Sequence, residues 1–130
     1  MYMLDTNTLI YFFKGIGKVE ENLFAHSPKD IFIPSIVIYE LQVGIAKSNN
    51  PQKRENQLYT LLEQVNTIEF GEKEAKESAL IRANLEKKGT PIGAIDVLIA
   101  GCAKAHNSTL ITHNTKEFIR VEGLALSDWF

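Results

Sequence analysis

The first thirteen residues, MYMLDTNTLIYFF, decide the fold because a strand pattern and a helix pattern meet within them. MYML is a short apolar run, typical of a buried strand, and it leads directly into Asp5. Thr6 or Asn7 can cap a helix whose apolar face is supplied by residues 9–13, before Gly15 interrupts the pattern. The sequence therefore predicts a strand and a helix with a carboxylate at their junction.

The rest of the chain repeats this alternation. Four more strands are predicted, at residues 30–34, 67–70, 109–112 and 121–126. Helices are predicted at residues 18–25, 35–46, 58–65, 72–88 and 92–106, with Ser35 capping the second of these and Pro91 opening the last. SNNPQ (48–52) is predicted as a loop and HNTKE (113–117) as a turn. We expect one α/β domain over residues 1–130: three layers, with a central parallel sheet flanked by helices.

Composition limits the function classes. Hydrophobic residues make up 45% and charged residues 23% of the 130 residues, as in a folded globular protein. The net charge of -2 gives no general attraction to nucleic acids, so contacts with phosphates must come from local basic residues. The candidates are Lys14, Lys47, Lys53, Arg54, Arg82, Lys87 and Lys88.

No apolar run approaches the roughly 20 residues that cross a bilayer, and the first residues lack the pattern of a signal peptide. A cytoplasmic protein without membrane contact is expected. Cys102 is the only cysteine, so it cannot form an internal disulfide, and its apolar surroundings predict a buried packing role.

Four polar residues follow the predicted strands in similar ways. Asp5 comes directly after the first strand and Asn114 just after the fourth, whereas Glu40 and Asp96 lie about one turn into their helices. Sites in open parallel sheets form beyond the carboxyl ends of the strands. We therefore expect these four side chains to meet at one edge of the sheet.

The surroundings of the acids predict a metal ion. The helix neighbours of Asp96 and Glu40 at spacings of three and four are largely apolar, and no lysine or arginine nearby in sequence is an obvious partner. Buried, unpaired carboxylates are costly, and a shared cation would remove that cost. Oxygen ligands without histidine or thiolate favour Mg²⁺, or Mn²⁺. Metal-assisted phosphodiester hydrolysis is the chemistry expected from such a site.

Each residue also has a structural interpretation. Asp5 could serve simply as the cap of the following helix, and Glu40 could be a solvated helix residue. Asp96 could form an ion pair with Arg82 or Lys104. His113 could be a metal ligand, a proton shuttle or an ordinary exposed loop residue. These alternatives stay open from the sequence.

Four stretches together resemble a known family: MLDTNTLIYFF, PSIVIYELQVG, GTPIGAIDVLIAGCA and LITHNTKEF. In this order they are similar to PIN-domain nucleases, and to VapC-type toxins in particular. The resemblance implies a PIN fold and a magnesium- or manganese-dependent endoribonuclease. It also implies the toxin of a type II toxin–antitoxin pair, acting on structured RNA such as transfer RNA (tRNA).

The resemblance assigns roles by position. Asp5, Glu40 and Asp96 match the three acidic metal ligands of the family, and Thr6 and Asn7 match small polar residues that line its site. The motif that often supplies a fourth acidic ligand contains Thr112, Asn114 and Glu117. Asn114 replaces the aspartate frequently found there, so the number of metal ions stays open, and Glu117 could compensate.

Partners follow from the same resemblance. It implies a homodimer and a cognate VapB-type antitoxin, assembled into a larger toxin–antitoxin complex. The antitoxin's tail would block the acidic pocket, and contact with operator DNA would come only through the antitoxin.

Other functions fit less well. A phosphatase of the haloacid-dehalogenase kind needs Asp-x-Asp after its first strand, and here Asn7 takes the second position. A response-regulator receiver needs paired acids near its first strand and a lysine after a later strand, and neither has a convincing match. A PIN-like module that binds RNA or a partner without cutting it remains the alternative.

Overall fold

The structure is a computed structural model and describes residues 1–130. Its strands are β1 (Tyr2–Leu4), β2 (Ile31–Pro34), β3 (Asn66–Ile68), β4 (Thr109–Ile111) and β5 (Leu126–Ser127). Its helices are α1 (Thr6–Lys14), α2 (Val19–Phe24), α3 (Ser35–Lys47), α4 (Pro51–Leu62), α5 (Glu72–Lys87), α6 (Ala94–Ala105) and α7 (Thr115–Phe118), with a 3₁₀ turn at Pro28–Asp30.

All strand pairs are parallel, in the order β3-β2-β1-β4-β5. The predicted α/β class with a central parallel sheet is confirmed. Tyr2 of β1 is in register with Ile31 of β2 on one side and with Thr109 of β4 on the other. The order of strands along the chain reverses between β1 and β4, and ligands of such sheets bind at this reversal, beyond the carboxyl ends of the strands.

The sheet is buried because its central strands are apolar on both faces. Met3 and Leu4 of β1 and Leu110 and Ile111 of β4 are completely buried, within one cluster of 23 core residues. Strands that are covered on both faces carry continuous apolar runs rather than alternating ones. The ends of β1 and β4 are therefore held rigidly, and so are the polar residues that follow them.

Helices α5 and α6 make an unusually close contact at Gly101. A β-carbon added at Gly101 would lie 1.8 Å from Ser78 Oγ and 2.9 Å from the Ser78 backbone Cα. The Ser78 hydroxyl in turn donates a 2.8 Å hydrogen bond to the carbonyl of Glu74 one turn earlier. The missing side chain of Gly101 thus sets the separation of α5 from α6, the helix that carries Asp96.

Several predicted boundaries are wrong. The fifth strand is Leu126–Ser127, which overlaps the predicted range 121–126 only at its last residue, and residues 113–117 contain the start of α7 rather than only a turn. Helix α4 begins at Pro51, within the predicted loop, because Pro fits a first helical turn and the Asn50 side chain accepts from Lys53 N. Helix α6 begins at Ala94, so Pro91 lies outside it.

Ser35 does not cap α3 with its side chain. Its hydroxyl instead accepts a 3.2 Å hydrogen bond from the backbone N–H of Phe70, which ties the start of α3 to the segment after β3. None of the helices is both long and apolar enough to span a bilayer.

Candidate metal centre

Asp5 lies at the carboxyl end of β1 and is 5% exposed. Its Oδ1 accepts a 2.9 Å hydrogen bond from Thr8 N, so the carboxylate does cap α1 as the structural interpretation proposed. That bond uses one lone pair, and the side chain keeps further acceptor positions. Burial raises the pKa of Asp5, hydrogen bonds from Thr112 and Thr8 oppose this rise, and the charge of Glu40 adds to it.

Glu40 lies in α3 and reaches the start of α1. Its Oε1 accepts a 2.5 Å hydrogen bond from the hydroxyl of Thr6, the residue after Asp5. This bond joins residues 34 positions apart in the chain. Glu40 is half-buried beside the first strand end and is not a solvated helix residue.

Asp96 is the third residue of α6 and is also half-buried. Its Oδ2 folds back towards Gly93, where an added β-carbon would lie 3.5 Å away. Burial, and after it the negative charges of Glu117, Asp5 and Glu40 in that order, together raise the pKa of Asp96 to about 6. The four carboxylates therefore interact electrostatically as one group.

Glu117 joins this group through α7. Its Oε2 accepts a 2.9 Å hydrogen bond from the side-chain amide of Asn114, and Asn114 N donates a 3.0 Å hydrogen bond to Thr112 Oγ1. Asn114 thus fixes the direction of the Glu117 side chain. Among the charges acting on Asp96, that of Glu117 has the largest effect.

No positive side chain neutralises these four carboxylates. The ion pairs of the chain are Arg82 with Glu86, Lys88 with Glu122, His106 with Glu74 and His113 with Asp128. Arg82 and Lys104, the suggested partners of Asp96, are bonded elsewhere: Lys104 donates to the carbonyl of Glu122. The structure therefore contradicts an ion-paired Asp96.

The model of one protein family, the PIN domain, matches residues 2–124. The chain belongs to the PIN-domain family. PIN domains are nucleases, and PIN-domain ribonucleases generally use a divalent metal.

Curated relatives cover almost the entire PIN domain. Ribonuclease VapC2 of Rickettsia felis is 37% identical, over 99% of this chain and 98% of the relative. The tRNA(fMet)-specific endonuclease VapC of Salmonella typhimurium is 32% identical, over 98% and 97%. Among solved structures, VapBC2 of Rickettsia felis bound to a promoter DNA fragment has a chain that is 38% identical with a TM-score of 0.92, over 99% and 98%. The similarity is thus to VapC-type ribonucleases.

The donor set of this PIN domain fits a hard divalent cation. It consists of carboxylate oxygens that repel one another and have no protein cation. No group of three acidic, histidine or cysteine side chains is placed so that it could hold a metal ion by itself, so the acids do not form a closed cage. A closed cage is not required, because Mg²⁺ usually keeps several waters and takes only one or two carboxylates from the protein.

The remaining predicted site residues have distinct places. Thr112 is fully buried beneath Asp5, and Thr6 holds Glu40. Asn7 is exposed on the first turn of α1 and makes no side-chain hydrogen bond. His113 is bonded to Asp128 at 2.8 Å, which leaves its Nδ1 unavailable as a ligand.

Sequence reasoning missed Thr8. Its backbone N–H bonds Asp5, and its hydroxyl donates a 3.2 Å hydrogen bond to the carbonyl of Ile111 at the end of β4. Thr8 therefore links the ends of the two central strands beneath the acids. Its position three residues after a helix cap was a local signal, but the contact with β4 spans 103 residues and has no signal in the sequence.

Proposed function

We propose that this chain is a magnesium-dependent endoribonuclease, with Mn²⁺ as a substitute, acting as the toxin of a VapC-type toxin–antitoxin pair. The observation that carries the proposal is the group of Asp5, Glu40, Asp96 and Glu117 at the carboxyl edge of a PIN-domain sheet, without any paired cation. Asp5, Glu40 and Asp96 are the proposed ligands, and Glu117 is the fourth acid.

When bound, the cation supplies charge neutralisation at the phosphodiester and makes water more acidic. The chain's own residues hold the acids ready for it. Thr8 and Thr112 orient Asp5, Thr6 orients Glu40, and Asn114 orients Glu117. Hydrogen bonds from neighbouring residues to a metal-binding carboxylate hold it in the orientation that coordination requires. In this assignment Asn114 is a positioning residue and not a ligand.

The proposed substrate is RNA with a defined structure, such as tRNA. A relative 32% identical to this chain is named a tRNA(fMet)-specific endonuclease, which supports a tRNA substrate here. Among the candidate basic residues, Lys14 and Arg54 line one cavity together with Glu40. We assign to them the first contacts with RNA phosphates, since cations beside a metal centre attract and position the backbone.

The test is incubation of the purified chain with total bacterial RNA, including tRNA, with Mg²⁺, with Mn²⁺ or with a chelator. Discrete products that form only with divalent cation, mapped by sequencing of their ends, are expected. Binding of intact RNA at enzyme excess with both cations, without products, would contradict the proposal. That result would instead support the alternative of a PIN-like binding module.

The raised pKa of Asp96 predicts how pH affects stability. The pKa of about 6 exceeds the ordinary 3.8, so the folded chain binds more protons than the unfolded chain between these values. In chelator, the contribution of Asp96 to stability is therefore largest at low pH and is lost as pH rises through about 6. Thermal unfolding at pH 5 and 7.5 should show this loss in the wild type but not in Asp96→Asn. Added Mg²⁺ should stabilise the wild type more at pH 7.5 than at pH 5, because protons compete with the cation for the Asp96 carboxylate.

We also propose that a VapB-type antitoxin binds a groove that leads to the acids. A cavity of about 340 Å³ between α1, α3 and α4 has Phe13, Leu41 and Leu58 on its walls and reaches Glu40. A second cavity, beside the exposed Phe24, shares Phe13 and Gln57 with the first. The two cavities thus adjoin along α4, and the mixture of apolar and polar side chains on their walls suits an extended peptide with apolar anchor residues. Solved relatives that are VapBC complexes support such a partner.

Replacing Gly44 with leucine tests this groove. Gly44 lines the first cavity, and no atom lies within 4 Å of the position that its β-carbon would occupy. The leucine should fill the cavity and weaken binding of a cognate VapB-type antitoxin at least tenfold. Gly44→Ala is the matched control, which should bind normally and melt no lower than wild type, because alanine is the better helix former. Equal antitoxin affinity of Gly44→Leu and wild type would overturn the groove assignment.

We propose a homodimer formed through α3. Tyr39 and Val43 are one helical turn apart on this helix and are both exposed, at 57% and 38%. Exposed apolar side chains that adjoin on a helix are typical of an interface between protein chains. Contact with operator DNA is proposed only through the antitoxin, because the net charge of this chain is -2.

A further inference from the structure

An ordered stack of rings stands beside the acidic group and takes no part in it. His113 lies over Phe130 with ring centroids 4.2 Å apart and an interplanar angle of 21°. Gly17 packs closely against Phe130, since an added β-carbon there would lie 3.0 Å from the ring. Tyr11 meets both rings edge-on, at 5.0 Å from Phe130 and 5.9 Å from His113. His113 therefore stacks on Phe130 within a packed cluster of three rings.

The His113 ring is also fixed in its own plane. Its Nδ1 donates a 2.8 Å hydrogen bond to Asp128 Oδ2, and Asp128 Oδ1 accepts from Phe130 N at 2.9 Å. The chain end is anchored too, because Lys18 N donates a 2.6 Å hydrogen bond to the Phe130 carbonyl. Even so, the side chain of His113 is 44% exposed. A ring held at its edge and on one face, yet exposed to solvent, is preorganised to stack with another flat group.

The stack adjoins the metal centre. His113 lies between Thr112 and Asn114, the residues that orient Asp5 and Glu117. Tyr11 follows Asn7 by four residues of α1, about 6 Å along the helix axis. Asp128 directly follows β5, so its carboxylate lies at the same carboxyl edge of the sheet as the acids.

We propose that His113 is a stacking platform for an unpaired nucleobase of the RNA, next to the phosphate that is cut. The inference rests on the proposed ribonuclease function and adds a binding residue to it. Unstacked bases in RNA loops are commonly held on aromatic or histidine rings. Such stacking contributes about 1–3 kcal/mol per base and tolerates different bases. The platform would therefore favour cleavage in loops over cleavage in paired stems.

The test uses single-stranded RNA oligonucleotides with the fluorescent base 2-aminopurine at successive positions, bound to chains that carry Asp96→Asn to prevent cleavage. Fluorescence should fall at one or two positions, where the base stacks on His113. His113→Ala should abolish that fall and weaken binding about 5- to 150-fold. His113→Phe, which keeps a flat ring but cannot transfer a proton, should restore most of both. Tyr59→Ala, an exposed aromatic on α4, is the control.

The outcomes separate stacking from the other roles of a histidine. Loss of binding and quenching in His113→Phe as severe as in His113→Ala would overturn the platform, as would the absence of quenching at every position. Thermal unfolding of each variant excludes a folding defect. If the quenching follows this pattern but wild type never cuts RNA, the platform stands and the nuclease proposal fails.

Discussion

Asp96→Asn is expected to lower the rate of RNA cleavage at least a hundredfold. Loss of residues that only orient a metal ligand typically costs 10- to 100-fold in metal affinity or activity, so removal of a ligand charge should cost more. The substitution keeps the shape of the side chain but replaces an anionic oxygen with a neutral amide. Cleavage of the mapped RNA under single-turnover conditions with Mg²⁺ measures the effect directly.

Folding and catalysis can be separated in this variant. The pKa of Asp96 is raised first by burial and then by the charges of Glu117, Asp5 and Glu40, so the neutral variant should melt no lower than wild type in chelator. Asp30→Asn is the matched control, since Asp30 is exposed and precedes β2, at the opposite edge of the sheet. A cleavage rate for Asp96→Asn within tenfold of that for Asp30→Asn would exclude Asp96 as a ligand.

Gly101→Ala is expected to lower the free energy of unfolding by about 3 kcal/mol, and the melting temperature by roughly 10 °C. The added methyl would lie 1.8 Å from Ser78 Oγ, so either the serine must rotate or α6 must move away from α5. Rotation alone is not sufficient, because the Ser78 backbone Cα would still be 2.9 Å away. Chemical denaturation, with the slope checked against wild type, gives the value.

A second substitution shows whether this contact is the cause. Ser78→Gly combined with Gly101→Ala removes the hydroxyl and β-carbon that clash, so it should recover part of the loss but not all of it. Gly44→Ala, a helical glycine with open space around it, should instead be neutral or stabilising. A loss below 1 kcal/mol in Gly101→Ala would mean that the two helices separate easily and do not fix the position of Asp96.

The positions of the acids could be predicted because each depends on a short local pattern. Asp5 directly follows an apolar strand, and Glu40 and Asp96 lie within the first two turns of helices that follow breaks in the pattern. The rule that parallel strands present their carboxyl ends at one edge then brings them together. The α/β class followed from the same alternation and is confirmed. Metal binding by these residues stays a prediction.

What could not be predicted depends on contacts between distant residues. The close approach of Gly101 to Ser78 and the bond from Thr6 to Glu40 each join separate elements. Helix α7 has only four residues, too few for a periodic pattern, so the sequence predicts only a turn there. Helix α7 brings Glu117 within hydrogen-bond distance of Asn114, a contact that no pattern in the sequence predicts.

Direct observation of cation binding tests the central claim, and Mn²⁺ is suitable because its electron paramagnetic resonance signal weakens on binding. Titration of the purified, antitoxin-free chain should show specific binding of Mn²⁺ that Mg²⁺ displaces. The binding should be lost in Asp96→Asn and retained in Asp30→Asn. Equal Mn²⁺ binding by wild type and Asp96→Asn, or none by either, would contradict the assignment of a metal centre to Asp5, Glu40 and Asp96.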